Sequence, residues 1–177
     1  MTVTSIKSLQ NFLNNHQPFL RDDMRVADYG GTEAIGANFV QQLLETGGLK
    51  DYHMLDFDNG VDLRKPIKGK KFDLGICMDL LEHTSNPFIV AENIIGSLKS
   101  GAYLFVTVPW SWNIHHHPDD YWRFSPSGLG ELFKEMEVEA IFQEVDDYKS
   151  ERGATPSVIQ IAVPQPWIRS TGYFKKK

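Results

Sequence analysis

The chain has 177 residues, 41% of them hydrophobic and 12% aromatic, which is enough apolar material for one domain with a packed core and excludes a disordered chain. A formal net charge of −5 and a pI near 5.6 give no bulk attraction for polyanions, which weighs against a nucleic-acid partner or a membrane surface. Cys77 is the only cysteine, which excludes an intrachain disulfide, and no apolar signal-peptide core follows Met1, so the expectation is a cytoplasmic chain with no membrane span.

Thr4 or Ser5 is placed to cap a first helix carrying Ile6, Leu9, Phe12, Leu13, Phe19 and Leu20 and interrupted near Pro18, an amphipathic lead-in that packs on a sheet. Residues 25–36, RVADYGGTEAIG, follow as the end of a buried strand, a glycine turn and a helix opening at Glu33. The helix presents Ile35, Phe39, Val40, Leu43 and Leu44 on one face and stops at Gly47 and Gly48. Strand, glycine turn and helix N-terminus together expose backbone N–H groups to a nucleotide-like ligand, although the same turn also serves proteins that bind nothing there.

Residues 52–56, YHMLD, predict a second strand ending on Asp56. An acid at that point, about 20 residues beyond a glycine loop, can accept hydrogen bonds from ribose hydroxyls; a turn aspartate ahead of Asp58, Asn59 and Gly60 is the competing role. The polar connection to residue 71 has room for at most one short strand. Residues 72–77, FDLGIC, form the next buried strand and run into MDLLEHTSNP, where Asn86 and Pro87 predict the cap and first residue of a helix bearing Phe88, Val90, Ala91, Ile94, Ile95 and Leu98. Residues 102–108 make a further strand closed by Pro109, Ser125 and Pro126 start another helix, and 138–145 is a strand that pairs antiparallel with 158–163 around a polar loop. Alternating strands and helices give an α/β, mainly parallel sheet with an antiparallel last strand, covered on both faces, with ligands at the carboxyl ends of its strands. The expected organisation is a single domain over 1–177: an N-terminal helix to 22, a core over 25–163, and a solvated tail over 164–177 ending in Lys175, Lys176 and Lys177.

The ordered segments VADYGG, HMLD, FDLGICMDLLEH followed by NP, LKSGAYLFVTVP and IHHHPDDYWRFSPSGL are similar to the class I S-adenosylmethionine-dependent methyltransferases over residues 25–145. More narrowly they resemble small methyltransferase-domain proteins with a Leu-Glu-His turn and a later His and Asp-Tyr-Trp-Arg-Phe loop. The resemblance implies a reduced Rossmann-like fold, S-adenosylmethionine as cofactor, and methyl transfer to an oxygen or nitrogen of a small-molecule or saccharide acceptor. It assigns Asp28, Gly30 and Gly31 to the loop holding the donor's methionine end and Asp56 to its ribose. For the family's adenine-contacting acid Asp62 is the only nearby candidate, and the resemblance places Cys77 and Met78 where the chain lines the cofactor cleft. Thr32 and Ala34 stand where the family has glycine, which keeps a non-catalytic binding protein of the same fold as the alternative. A nicotinamide-dinucleotide enzyme is disfavoured because G-x-G-x-x-G is missing.

Two clusters carry candidate chemistry. Asp79, Glu82 and His83, at i, i+3 and i+4, share a face if helical and then suit a divalent metal, as in the similar acid-x-x-Glu-His motif of metal-dependent O-methyltransferases. The competing arrangement has Asp79 as a helix cap, with Glu82 and His83 touching the substrate loop. The loop 110–123 follows the strand ending at Val108, so it overhangs the reactive methyl. It offers His115 and His117 as general bases, Arg123 toward the acceptor and Trp122 as an anchor. The acceptor is expected to face Glu82, His83, His115 and Arg123.

Overall fold

The computed structural model describes residues 3–31, 37–115, 119–146 and 167–177. Helix α1 (Val3–His16) runs into a short 3-10 turn at Gln17–Phe19, where Pro18 ends the α-helical ladder. Its start at Val3 puts Thr4 and Ser5 inside the first turn, so neither stands ahead of the helix as a cap. Leu9, Phe12 and Leu13 bury the inner face of α1. Ser8 Oγ donates to a Glu144 carboxylate oxygen at 2.5 Å and His16 meets Glu139 at 2.8 Å, fixing the helix to the far side of the sheet.

Strand β1 (Arg25–Tyr29) is followed by α2 (Ala37–Thr46), whose predicted first residues 33–36 lie outside the described segments. The predicted stop is realised: Gly48 takes φ +86° and the Leu49 N–H returns to the Leu44 carbonyl, closing the helix end with a left-handed residue. Next come β2 (Asp51–Leu55), β3 (Phe72–Met78), α3 (Pro87–Ser97), β4 (Leu98–Ser111), α4 (Pro126–Leu132), β5 (Glu137–Asp146) and β6 (Trp167–Lys175). Asn86 Oδ1 accepts from the Ile89 N–H and Ser125 Oγ from the Gly128 N–H, so both predicted Asn/Ser-Pro starts are true N-caps.

The six strands lie in the order β2-β1-β3-β4-β6-β5. β1 to β4 are mutually parallel, and β6 runs antiparallel to both of its neighbours. Residues 56–71 contribute no strand, only a 3-10 turn at Phe57–Asn59, so β2 is the sheet edge. One face, with Tyr29, Cys77, Leu104 and Val106, packs on α3 and α4; the other, with Val26, Ile76 and Phe105, packs on α1 and α2. Among the described residues no helix is long and apolar enough to cross a membrane.

The C-terminal segment corrects the sequence reading. Residues 158–163, predicted as the partner of β5, lie outside the described segments, and the strand that pairs with β5 is β6, which begins inside the stretch read as a tail. Hydrophobic patterning hides β6 because three adjacent buried residues, Arg169, Ser170 and Thr171, are polar and each finds a partner: Asp79, the Phe124 carbonyl and Glu144.

If β6 is an integral strand, Phe174→Ala should lower the unfolding free energy in urea by about 3–5 kcal/mol, since its ring is fully buried 5.0 Å from Phe133. A tail would respond by less than about 0.5 kcal/mol, and that result would contradict the strand.

Candidate active site

Because β1 to β4 are parallel, their carboxyl ends gather on one edge, and the candidate residues follow those ends. Gly30 closes β1 with φ +78°, and its N–H donates to the Leu55 carbonyl at 2.9 Å. A Cβ there would stand 2.7 Å from Leu80 Cδ1, and one at Gly31 would stand 2.5 Å from an Asp28 carboxylate oxygen. The two glycines therefore let the turn lie directly on the side chains beneath it. Asp28 is only 3% exposed and accepts the Tyr52 hydroxyl at 2.6 Å. Burial pushes its carboxyl up to about 6 against the opposing hydrogen bond from Tyr52. Asp28 thus supports the turn from below.

Beside the turn opens a cleft of about 310 Å³ lined by Asp56, Val61, Asp62, Leu80, His83 and Tyr121 among others. Asp56 takes the turn role read from sequence, its Oδ1 accepting the Asp58 N–H at 2.8 Å as the cap of the 3-10 turn, and it stands after β2 among the residues that line the cleft. Asp62 shares the wall, and a forked hydrogen bond from Arg64 holds its carboxyl down at about 2. Cys77 and Met78 do not line the cleft. Period-two alternation along β3 turns Cys77 into the core beside Ala27 and Tyr29, where burial drives its thiol pKa up, and sends Met78 to the opposite apolar cluster.

The stretch after β3 is not an α-helix. Asp79 takes φ +52°, its N–H bonds the Thr107 carbonyl at 3.0 Å, and a single 3-10 turn covers Leu81–His83. Asp79 Oδ1 accepts from the Arg169 guanidinium and from Thr107 Oγ1. Burial raises the Asp79 carboxyl, but the Arg169 charge and these hydrogen bonds outweigh it and leave the group below the usual range. The predicted set Asp79, Glu82 and His83 is therefore corrected: Asp79 is engaged with Arg169, and the ligand atoms that converge, within 4.8 Å of one another, belong to Glu82, His83 and His115. Glu82 is fully buried with both carboxylate oxygens unpartnered among the described residues. Burial, reinforced by the Asp79 charge, raises its carboxyl well above the usual range.

The loop after β4 is stapled onto this turn. The Tyr121 N–H donates to the Glu82 carbonyl at 2.7 Å, Trp122 Nε1 donates to the Thr84 carbonyl at 2.8 Å, and His83 Nδ1 donates to the Asp119 carbonyl at 2.6 Å. Trp122 is thus the anchor expected. Arg123 is a clamp and does not face an acceptor: its five N–H groups go to both Asp120 oxygens and to the carbonyls of Trp112, Asn113 and Trp122. Asp120, with a fully buried side chain, would be raised by burial, but the Arg123 hydrogen bonds bring it to about 2. It also accepts the His115 N–H at 2.9 Å and lies 3.0 Å from His115 Nδ1. The His83 and His115 rings meet edge-on with centroids 4.9 Å apart, and burial lowers the His115 pKa. His117 lies outside the described residues. Sequence reasoning missed Arg169, Asp120 and Tyr52. The Asp120 to Arg123 spacing at i, i+3 was a usable signal, whereas Arg169 and Tyr52 sit in no motif.

No family model and no curated protein matches the chain. Solved structures do. A 1,6-didemethyltoxoflavin N1-methyltransferase of Burkholderia thailandensis, with bound 1,6-didemethyltoxoflavin and S-adenosylhomocysteine, aligns with a TM-score of 0.65 at 12% identity over 98% of this chain and 78% of that one. A SAM-dependent methyltransferase of Archaeoglobus fulgidus gives 0.61 at 14% over 97% and 94%, and one of Methanosarcina mazei 0.60 at 12% over 93% and 96%. The chain has the Rossmann-like fold of the class I SAM-dependent methyltransferases, in a small form.

The buried Asp28 gives a pH test of the turn. The folded chain holds this proton more tightly than the unfolded chain does, so its contribution is intact below the ordinary carboxyl value of 3.8 and is lost as pH rises through about 6. Between pH 4 and pH 7.5 the wild type should lose up to about 3 kcal/mol of unfolding free energy relative to Asp28→Asn. Parallel pH profiles for the two proteins would contradict a perturbed Asp28.

Proposed function

We propose that the chain is an S-adenosylmethionine-dependent methyltransferase acting on an oxygen or nitrogen of a small-molecule or saccharide acceptor. One observation carries the reading: the cleft at the carboxyl ends of the parallel strands is lined by Asp56, Asp62, His83, Asp119 and Tyr121, and by Leu80, which packs against Gly30 of the turn. The residues present fit the donor. Asp56 keeps a second carboxylate oxygen for ribose hydroxyls while the first caps its turn, and Val61, Leu63 and Leu80 offer apolar surface to an adenine whose amino group Asp62 can accept. The methionine end would lie against the Gly30 and Gly31 turn, which the two glycines seat directly on Leu80 and Asp28. When bound, S-adenosylmethionine supplies an electrophilic methyl group on a sulfonium.

The chain's own part is to orient the acceptor and remove its proton. His115 is suited to removing the proton, because Asp120 fixes its ring through Nδ1 and burial keeps the imidazole neutral and able to accept at Nε2. His83, tied through Nδ1 to the Asp119 carbonyl, faces the same space. With the donor bound, the acceptor's lone pair would take the methyl group and its proton would pass to the His115 imidazole, which the Asp120 carboxylate holds in place. The binding-protein alternative rests on Thr32 and Ala34, which lie outside the described residues, and an intact cleft with its acids in position favours the enzyme.

Calorimetry with S-adenosylmethionine and S-adenosylhomocysteine should give one site, weakened by about 1–3 kcal/mol in Asp56→Ala. No binding of either at millimolar concentration would favour the binding-protein alternative. His115→Ala should keep donor affinity within about threefold while lowering turnover on an identified acceptor by roughly 10²–10⁴. Unchanged turnover would remove His115 as the base.

A further inference from the structure

We infer that Glu82, His83 and His115 form a site for one borderline divalent cation, held by two imidazoles and one carboxylate. The inference does not depend on methyl transfer: a His115 ring whose Nε2 holds the cation does not also take the acceptor's proton, so the general-base role belongs to the metal-free chain. Three observations converge on it. First, the candidate ligand atoms lie within 4.8 Å of one another, and His83 Nε2 is 3.7 Å from Glu82 Oε1. Ligands sharing a cation at roughly 2.1 Å stand about 3.4 Å apart, so only small side-chain rotations separate this arrangement from coordination.

Second, both histidines are oriented as ligands. His83 Nδ1 points to the Asp119 carbonyl at 2.6 Å, and His115 Nδ1 lies 3.0 Å from an Asp120 carboxylate oxygen and 3.3 Å from the Asn113 carbonyl. All three partners can only accept, so Nδ1 carries a proton on each ring, which leaves Nε2 as the nitrogen that can offer a lone pair to a cation. A ring N–H held by a carbonyl or carboxylate is the arrangement that fixes metal-binding imidazoles. Third, Glu82 is fully buried, and neither carboxylate oxygen has a hydrogen-bond partner among the described residues. Buried polar atoms without partners are rare and unfavourable, and a cation would satisfy both oxygens.

The donor set decides the ion. Two nitrogens and one carboxylate suit Zn²⁺, Mn²⁺, Fe²⁺ or Co²⁺, whereas Mg²⁺ and Ca²⁺ require oxygen donors. The set differs from the carboxylate-rich trio read from sequence, because Asp79 is engaged with Arg169 and a histidine from the next loop takes its place. Three protein ligands leave coordination positions open, and His83 lines the cleft, so those positions are reachable by a small molecule.

The test is calorimetric titration of chelator-stripped protein with Zn²⁺, Co²⁺, Mn²⁺, Mg²⁺ and Ca²⁺ in turn, with the visible spectrum of bound Co²⁺ as a second readout. One Zn²⁺ or Co²⁺ per chain is expected, with no Mg²⁺ or Ca²⁺ binding. Glu82→Gln and His115→Ala should each abolish the Co²⁺ spectrum, and Asp120→Asn should weaken binding by about 10–100-fold through the His115 orientation. The double variant His116→Ala with His117→Ala, and His53→Ala, should bind as wild type. Melting curves in chelator check that each variant is folded, and if His115→Ala is not, Glu82→Gln and Asp120→Asn decide. Binding that survives Glu82→Gln, that is lost in the His116 and His117 double variant, or that is equal for Mg²⁺ and Zn²⁺ overturns the site. Donor binding is measured on the same samples without metal, so failure of one reading leaves the other standing.

Discussion

The buried ion pair between Asp79 and Arg169 fixes the carboxyl end of the sheet. Arg169 is 2% exposed, rises from β6, and lies with its guanidinium 5.3 Å from the Trp112 ring. Its partner is the residue that leaves β3 in the left-handed region, a conformation a non-glycine side chain rarely holds without outside support. The pair therefore couples two strands separated by β4 and sets the direction in which the chain enters the Leu81–His83 turn. Such a pair adds little net stability when whole, but removing one partner strands a buried charge at a cost of about 3–5 kcal/mol. The constraint acts on geometry more than on the total free energy of folding.

From that turn the electrostatics of the site follow. Three acids, Asp79, Glu82 and Asp120, crowd the space below the loop, and two arginines answer them: Arg169 takes Asp79 and Arg123 takes Asp120 in a bidentate grip. Glu82 is the acid left over. Buried beside the Asp79 charge, it either keeps its proton or meets a cation, and the His83 and His115 rings next to it offer nitrogen atoms that can hydrogen-bond the first form or share the second. The same excess of acid explains why a chain with a formal charge of −5 buries two arginines' worth of positive charge in one small region.

What could be read from sequence divides along physical lines. Features written in local chemistry were legible: Asn86 and Ser125 ahead of prolines, the Gly47 and Gly48 stop, and the buried apolar strands β3 and β4. Features that depend on a distant partner were not. β6 is buried through polar residues whose partners lie on other elements, so its apolar signal is weak, and the reading preferred the apolar run at 158–163. Cys77 was misassigned because the end of a strand fixes which residue meets the cleft only once its pleat parity is known. The spacing of Asp79, Glu82 and His83 suggested a helix face, and the ion pair with a strand nearly a hundred residues later overrode it. Arg123 looked like a recognition residue because its type and loop position suit that role; only the five internal acceptors reveal the clamp.

That clamp bears on how the site can work. A loop carrying catalytic side chains must be ordered before or during acceptor binding, and ordering it during binding subtracts from affinity. Here Arg123 ties the two sides of the loop to each other, while Tyr121, Trp122 and His83 tie it to the 81–84 turn through backbone carbonyls. Each staple ends on a main-chain oxygen, and the Tyr121 staple is backbone on both sides, so changes to the Tyr121 or Ile114 side chains leave all of them in place. The exposed faces of Tyr121 and Ile114 are then free to vary in what they touch without moving His83 or His115. In the proposed transfer the two imidazoles, fixed from below, would carry the chemistry, and the exposed faces of Tyr121 and Ile114 would meet the acceptor.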